Sequence, residues 1–192
     1  MPQIVIFDFG EKKTREIGNI VEKQGVSTKI LPFETPAEVL KTFPDLKGVI
    51  FSGGPKSVLK SDAFRVDQEI YHLGIPVLGI CYGMQLMVKD HGGELITMPE
   101  VEKGRSPLNI LGPTLLFKGI SSPEIVYMNH NDTVETLPDC FMIKAETDIA
   151  KIAAAECVEK SLYAVQFHPE HEDSFHGELI LKNFVKEICH CK

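Results

Sequence analysis

Apolar residues follow two alternating rhythms over the first half of the chain. Ile4-Val5-Ile6-Phe7 is a short unbroken apolar run, the pattern of a strand covered on both faces. From Thr14 to Gln24, Ile17, Ile20 and Val21 recur at helical spacing, and Gly25 follows where a helix commonly ends. A strand is predicted over Ser27 to Leu31 and a weak helix near Glu38 to Thr42. Gly48-Val49-Ile50-Phe51 is the next buried strand and runs into Ser52-Gly53-Gly54-Pro55. A helix predicted from about Phe64 to Leu73 leads to a further apolar strand, Ile75-Pro76-Val77-Leu78-Gly79-Ile80. Cys81 follows directly, and Tyr82 to His91 reads as a helix stopped by Gly92-Gly93. Strands alternating with helices in this way imply βαβ units, hence a parallel sheet with helices on both faces.

The second half has a different texture. Short runs at Pro107 to Leu111, Thr114 to Phe117, Glu124 to Met128, Phe141 to Thr147, Ile152 to Glu156 and Leu162 to Phe167 predict strands joined by turns. They are expected to extend the same sheet with antiparallel strands. A helix from about Gly177 to Ile188 closes the chain, with Leu179, Ile180, Phe184 and Ile188 on one stripe. No repeat, linker or shift of composition marks a boundary, so residues 1–192 are read as a single α/β domain.

Composition narrows the function classes. With 192 residues, 43% hydrophobic and 24% charged, the chain has the make-up of one globular domain. Asp and Glu number 27 against 20 Lys and Arg, for a net charge of −7, which leaves no cationic surplus to grip nucleic acid. No apolar run reaches the roughly 20 residues that span a bilayer, so no membrane association is expected. The N-terminus lacks a basic, apolar leader pattern. Five cysteines, an odd number without framework spacing, predict reduced thiols and a cytoplasmic setting.

Three local patterns could carry chemistry. Gly79-Ile80-Cys81-Tyr82-Gly83 has the form G-x-C-x-G between a buried strand and a helix, the cysteine counterpart of a nucleophile elbow. The turn is so sharp that glycine is needed two positions to either side of its tip. It lifts the thiol over the first turn of the next helix, where free N–H groups and the macrodipole favour a thiolate. The bland alternative is a small buried hydrophobe. In Val165-Gln166-Phe167-His168-Pro169-Glu170, a strand delivers a His to its end and a Glu follows two residues later. The Glu could fix one ring nitrogen and leave the other for the sulfur. His130 and His91 compete for that place. Ser52-Gly53-Gly54-Pro55, also at a strand end, is an oxyanion hole or a plain tight turn. It lacks the spacing and Lys-Ser/Thr ending of a phosphate loop, and the Asp of the S-G-G-x-D-S loop of ATP pyrophosphatases. His171-Glu172-Asp173 with His176 reads as a solvated loop, and Cys189-His190-Cys191 as a terminal tail, so no metal site is expected.

In order along the chain, F-S-G-G-P-K-S at Phe51 to Ser57, G-I-C-Y-G-M-Q around Cys81 and V-Q-F-H-P-E at Val165 to Glu170 resemble the class I glutamine amidotransferases. Within that family the chain is most similar to the glutaminase part of GMP synthetases, through I-V-I-F-D-F-G at its start, M-N-H-N-D-T-V at Met128 to Val134 and H-G-E-L-I-L-K-N-F at His176 to Phe184. The resemblance implies a flavodoxin-like three-layer sandwich. It further implies that Cys81 attacks the glutamine amide, with His168 as acid–base partner and Glu170 orienting it. Gly54 and Tyr82 would supply oxyanion N–H groups, and Gln85, Asn129 and His130 substrate contacts. Asp132 matches an acidic position linked to communication with the partner. Nothing in the sequence matches an ATP or purine-nucleotide motif. No cofactor is therefore expected in this chain, and ATP and Mg are expected on an ATP pyrophosphatase subunit or domain that takes the ammonia and converts XMP to GMP. The alternatives are a glutaminase subunit for anthranilate or aminodeoxychorismate synthase, and a catalytically silent module of the same fold. The chain departs from the family pattern at Glu11-Lys12-Lys13-Thr14, at Lys103 to Pro107 and at Asn129-His130-Asn131-Asp132.

Overall fold

The computed structural model describes residues 1–192. In chain order the elements are β1 (Ile4–Asp8), α1 (Thr14–Lys23), β2 (Thr28–Pro32), α2 (Ala37–Leu40), β3 (Gly48–Phe51), β4 (Val77–Ile80), α3 (Tyr82–Asp90) and β5 (Glu94–Ile110). They continue as β6 (Glu124–Thr136), β7 (Met142–Glu146), β8 (Ala154–Cys157), β9 (Leu162–Val165) and α4 (Gly177–Asn183). The strands lie in the order β2-β1-β3-β4-β9-β8-β7-β5-β6. The first five are mutually parallel, and β8, β7, β5 and β6 are added antiparallel.

Strand alternation explains the three layers. Ile4 and Ile6 of β1 point into one apolar cluster with Ile17, Ile20 and Val21 of α1 and Ile180 and Leu181 of α4. Val5 and Phe7 point the other way, into a cluster with Leu40 of α2 and Met84, Leu86, Met87 and Val88 of α3. Both faces of β1, β3, β4 and β9 are therefore buried, which is why those strands read as continuous apolar runs, whereas β2 at the edge is partly exposed. No helix is long and apolar enough to cross a membrane.

Several predicted elements differ. The helix expected from about Phe64 to Leu73 is irregular at first and becomes a 3-10 turn at Gln68–His72. Asp67 sets this boundary, because its carboxylate accepts from the N–H of Glu69 and from that of Ala37 at the start of α2. Phe64 is taken by aromatic stacking on Phe33, with ring centroids 4.4 Å apart. Thr114 to Phe117 is not a strand; Leu115–Phe117 forms a 3-10 turn capped by Thr114. Asn183 of α4 donates to the carbonyls of Leu116 and Lys118 and holds that turn in place. The segments expected as short strands at Pro107 and Glu124 belong to a long hairpin, β5 and β6, that extends past the sheet. The closing helix ends as α at Asn183 and continues as a π turn over Phe184–Ile188, keeping Phe184, Val185 and Ile188 buried.

Candidate active site

Cys81 sits between β4 and α3 with φ +51° and ψ −105°, a left-handed conformation that strains any side-chain-bearing residue. Backbone bonds hold it there: its N–H donates to Val165 of β9 at 2.8 Å and its carbonyl accepts from Gln85 at 3.1 Å. The flanking glycines are required by contact rather than by their own dihedrals. A Cβ on Gly79 would lie 2.6 Å from the Gly83 carbonyl carbon, and one on Gly83 would lie 2.6 Å from the Phe51 carbonyl oxygen of β3. Helix α3 can therefore start directly over the sheet only with glycine at both places.

His168 comes off the end of β9, three residues beyond Val165. Its ring is buried, and Nδ1 lies 2.7 Å from Oε1 of the equally buried Glu170. That contact leaves Nε2 for the sulfur of Cys81. Burial opposes a charge on this ring, but the adjacent Cys81 and Glu170 outweigh it and hold the imidazole well above its ordinary value. The backbone around the ring is pinned as well: the His168 N–H donates to Tyr127, and Ser174 donates to the His168 carbonyl at 2.6 Å. His91, a competitor in sequence, packs against Tyr71 and Phe141 instead. His130, the other competitor, has both nitrogens engaged elsewhere, by the Asp132 carbonyl at 2.8 Å and Glu102 at 2.7 Å.

The loop after β3 completes the constellation. Ser52 accepts from the Phe9 N–H and donates to the Gly53 carbonyl. Gly53 lies so close to His168 that a Cβ there would stand 3.0 Å from ring atom Cε1, and a Cβ on Gly54 would stand 2.6 Å from the Phe9 carbonyl oxygen. The Gly54 N–H has no partner within the chain. The Tyr82 N–H is the first of α3 and has no partner within its helix. The Tyr82 side chain is structural: its hydroxyl donates to Phe64 at 2.7 Å and burial pushes its pKa up to about 12.

Gly54, Cys81, Gln85 and Asn129 to Asp132 line one cleft of about 500 Å³. Gln85 donates to the Asp132 carbonyl at 2.8 Å and to Gln166 at 3.1 Å. The Asn129 carbonyl is 3.8 Å from the Cys81 sulfur, a contact made by backbone. Asp132 is buried, and its carboxylate accepts from Ser57 and from Thr97 at 2.7 Å. Sequence reasoning passed over Ser57, Thr97, Glu102 and Gln166 as site residues. Ser57 and Gln166 lie inside the family motifs, whereas Thr97 and Glu102 carry no local signal. Around His171 the side chains are each taken by a separate partner: His171 stacks on Tyr127, with its Nδ1 3.8 Å from Glu172 and 3.9 Å from Asp173, while Glu172 pairs with Lys13, Asp173 with Arg105 and His176 with Glu124. No group of three or more His, Cys, Asp or Glu residues is arranged to hold a metal ion.

The sequence profile described as glutamine amidotransferase class-I matches residues 5–188. The chain is 44% identical over 188 residues to a GMP synthase [glutamine-hydrolyzing] of Carboxydothermus hydrogenoformans, covering 97% of this chain and 36% of that protein. It is 46% identical over 190 residues to the protein of the same name from a Nitratiruptor species, covering 97% and 37%. The chain thus spans little more than a third of these relatives. Among solved structures, a GMP synthase subunit of Thermoplasma acidophilum superposes with a TM-score of 0.86 at 27% identity, covering 99% of this chain and 94% of that one. A glutamine amidotransferase of Thermotoga maritima shares the fold alone, with a TM-score of 0.76 at 15% identity over 98% of both chains. The left-handed cysteine, the buried His–Glu pair and this breadth of matching sequence lead to one conclusion: the chain belongs to the class I glutamine amidotransferases.

Proposed function

We propose that this chain, acting as one amidotransferase unit, hydrolyses the side-chain amide of glutamine and passes the ammonia to an ATP-dependent synthetase that converts XMP to GMP. The Cys81 thiolate attacks the amide carbon, and the oxyanion that forms is held by the N–H groups of Gly54 and Tyr82. His168 gives its proton to the departing nitrogen, and ammonia leaves. A γ-glutamyl thioester remains on Cys81. Water, deprotonated by His168, cleaves it to glutamate and restores the thiol. Glu170 keeps the ring in one orientation and favours its charged form. Gln85 and the backbone of Asn129 and His130 face the bound amino acid, and ATP and Mg act on the synthetase. The five free cysteines suit a reducing, cytoplasmic setting.

The single observation that carries this reading is the left-handed Cys81 beside the buried His168–Glu170 pair. Its identity to proteins named GMP synthase supports the choice of acceptor. The test combines the chain with its synthetase, XMP, ATP-Mg and glutamine. GMP should form, and Cys81→Ala should abolish the glutamine-driven reaction while sparing the reaction driven by added ammonia. No GMP from either nitrogen source, with AMP-forming turnover of another acceptor, would overturn the assignment.

A further inference from the structure

The wall of the cleft that carries Gly54 is anchored unevenly. Its beginning is fixed to β1 and the residue after it: the Ser52 N–H donates to Phe7, the Ser52 hydroxyl accepts from the Phe9 N–H, and Gly54 is pressed on the Phe9 carbonyl. Pro55 then leans on Gly10. Beyond Pro55 the loop turns away from β1, Lys56 pairs locally with Asp62, and the tie to the opposite wall is the hydrogen bond from Ser57 to Asp132.

Asp132 is placed to make that tie rigid. It lies on β6, is 8% exposed, and its second oxygen accepts from Thr97 of β5 at 2.7 Å. Its backbone carbonyl accepts from Gln85, one turn beyond Cys81, and from His130. His130 in turn meets Glu102, which also accepts from Thr147. One residue therefore joins the Gly54 loop, the helix that follows Cys81 and the long hairpin. A carboxylate that accepts two hydroxyl donors while held at its own backbone has little freedom to move.

We propose that Asp132, through Ser57, is a positioning residue that fixes the Gly54 N–H against Cys81. This rests on the hydrolytic reading above. The role acts at the transition state, because the Gly54 N–H meets charge only once the oxyanion has formed. Loss of the tie leaves the thiol, the ring and the glutamine contacts in place and loosens one oxyanion donor.

The test is Ser57→Ala in the full chain with its synthetase, with Ser57→Thr as the variant that keeps the hydroxyl. Glutamine hydrolysis should lose about 10-fold or more in kcat, with KM within about 2-fold, because removing such a donor outright costs about 100- to 1,000-fold. Ser57→Thr should restore most of the rate. Amide hydrogen exchange over residues 53–59 should quicken in Ser57→Ala, and alkylation of Cys81 by iodoacetamide, which needs no oxyanion hole, should keep its rate. Unchanged kcat in Ser57→Ala overturns the proposal, as does a parallel fall in Cys81 alkylation, which would place the damage in the thiol–imidazole pair. Absence of hydrolysis by the unaltered protein overturns the hydrolytic reading itself, and the proposal with it.

Discussion

Replacing Gly83 by alanine separates packing from chemistry. An added Cβ would stand 2.6 Å from the Phe51 carbonyl oxygen and 2.6 Å from its Cβ, about 0.8 Å inside the 3.4 Å of ordinary contact. Phe51 is held by β3's pairing with β1 and β4, so α3 must yield instead. Alanine improves helix propensity by about 0.5–1 kcal/mol over glycine, while overpacking of a close-packed interior costs about 1–3 kcal/mol. The net is a loss of up to about 2.5 kcal/mol. The rate suffers more, because the shift moves Cys81 and the Tyr82 N–H relative to Gly54 and His168. A misplacement of about 1 Å costs about 100-fold in rate. Guanidinium unfolding and glutamine turnover at saturating substrate measure the two effects. Gly18 in α1 is the control, since a Cβ there would meet nothing nearer than Thr28 Oγ1 at 3.5 Å. Gly18→Ala should therefore stabilise by about 0.5–1 kcal/mol and leave turnover unchanged. Wild-type stability and turnover in Gly83→Ala would refute the contact reasoning.

Glu170→Gln keeps a hydrogen bond to Nδ1 and removes the charge, so turnover should fall about 10-fold, the equivalent of the roughly 1.4 kcal/mol by which a charged hydrogen bond exceeds a neutral one. The alkaline limb of its pH–rate profile should move to lower pH, and an unmoved limb would deny Glu170 that influence. Because the His168 pKa is raised on folding, its contribution to stability is full below the ordinary imidazole value and is lost as pH rises through the folded value. Glu170→Gln should shrink that contribution in urea melts across the same range. For Glu102, burial favours the neutral acid, but bonds from His130, Thr147 and Ser106 prevail and lower its pKa. Its contribution is present above the ordinary carboxylate value and lost as pH falls through the folded one. Glu102→Gln should be less stable at neutral pH and lose less on acidification, whereas parallel urea midpoints would exclude this linkage.

The elbow was legible because its requirements are local: the residues that avoid the clash, Gly79 and Gly83, sit two positions from Cys81. The His–Glu pair was legible for the same reason, since Pro169 separates only two residues that face one another. Asp132 was visible as a motif residue, but its partners were not. Ser57 and Thr97 lie 75 and 35 residues away, and only the pairing of β5 with β6 and the turn after β3 brings them together. The 3-10 turn at Leu115 is another tertiary decision. Thr114 and Leu116 have strand-like chemistry, yet Asn183 claims the carbonyls that a strand would have offered to a neighbour.

The chemistry gathers where it does because of chain direction. Residues 9–13, 52–57, 81–82 and 166–170 all follow the carboxyl ends of parallel strands, β1, β3, β4 and β9, which are adjacent in the sheet. The chain leaves β1 toward β2 on one side and returns to β3 on the other, so the loops part above that junction and open a crevice. Cys81 emerges beside this opening with the helix rising from it. A thiol in that position gains unpaired N–H groups without any added loop. The left-handed backbone at Cys81 costs about 1–3 kcal/mol and persists because four paired strands and two apolar layers over-determine it. Rigidity in the sheet and strain at its edge are thus one design, and the antiparallel hairpin adds the opposite wall, where Asp132 meets Ser57.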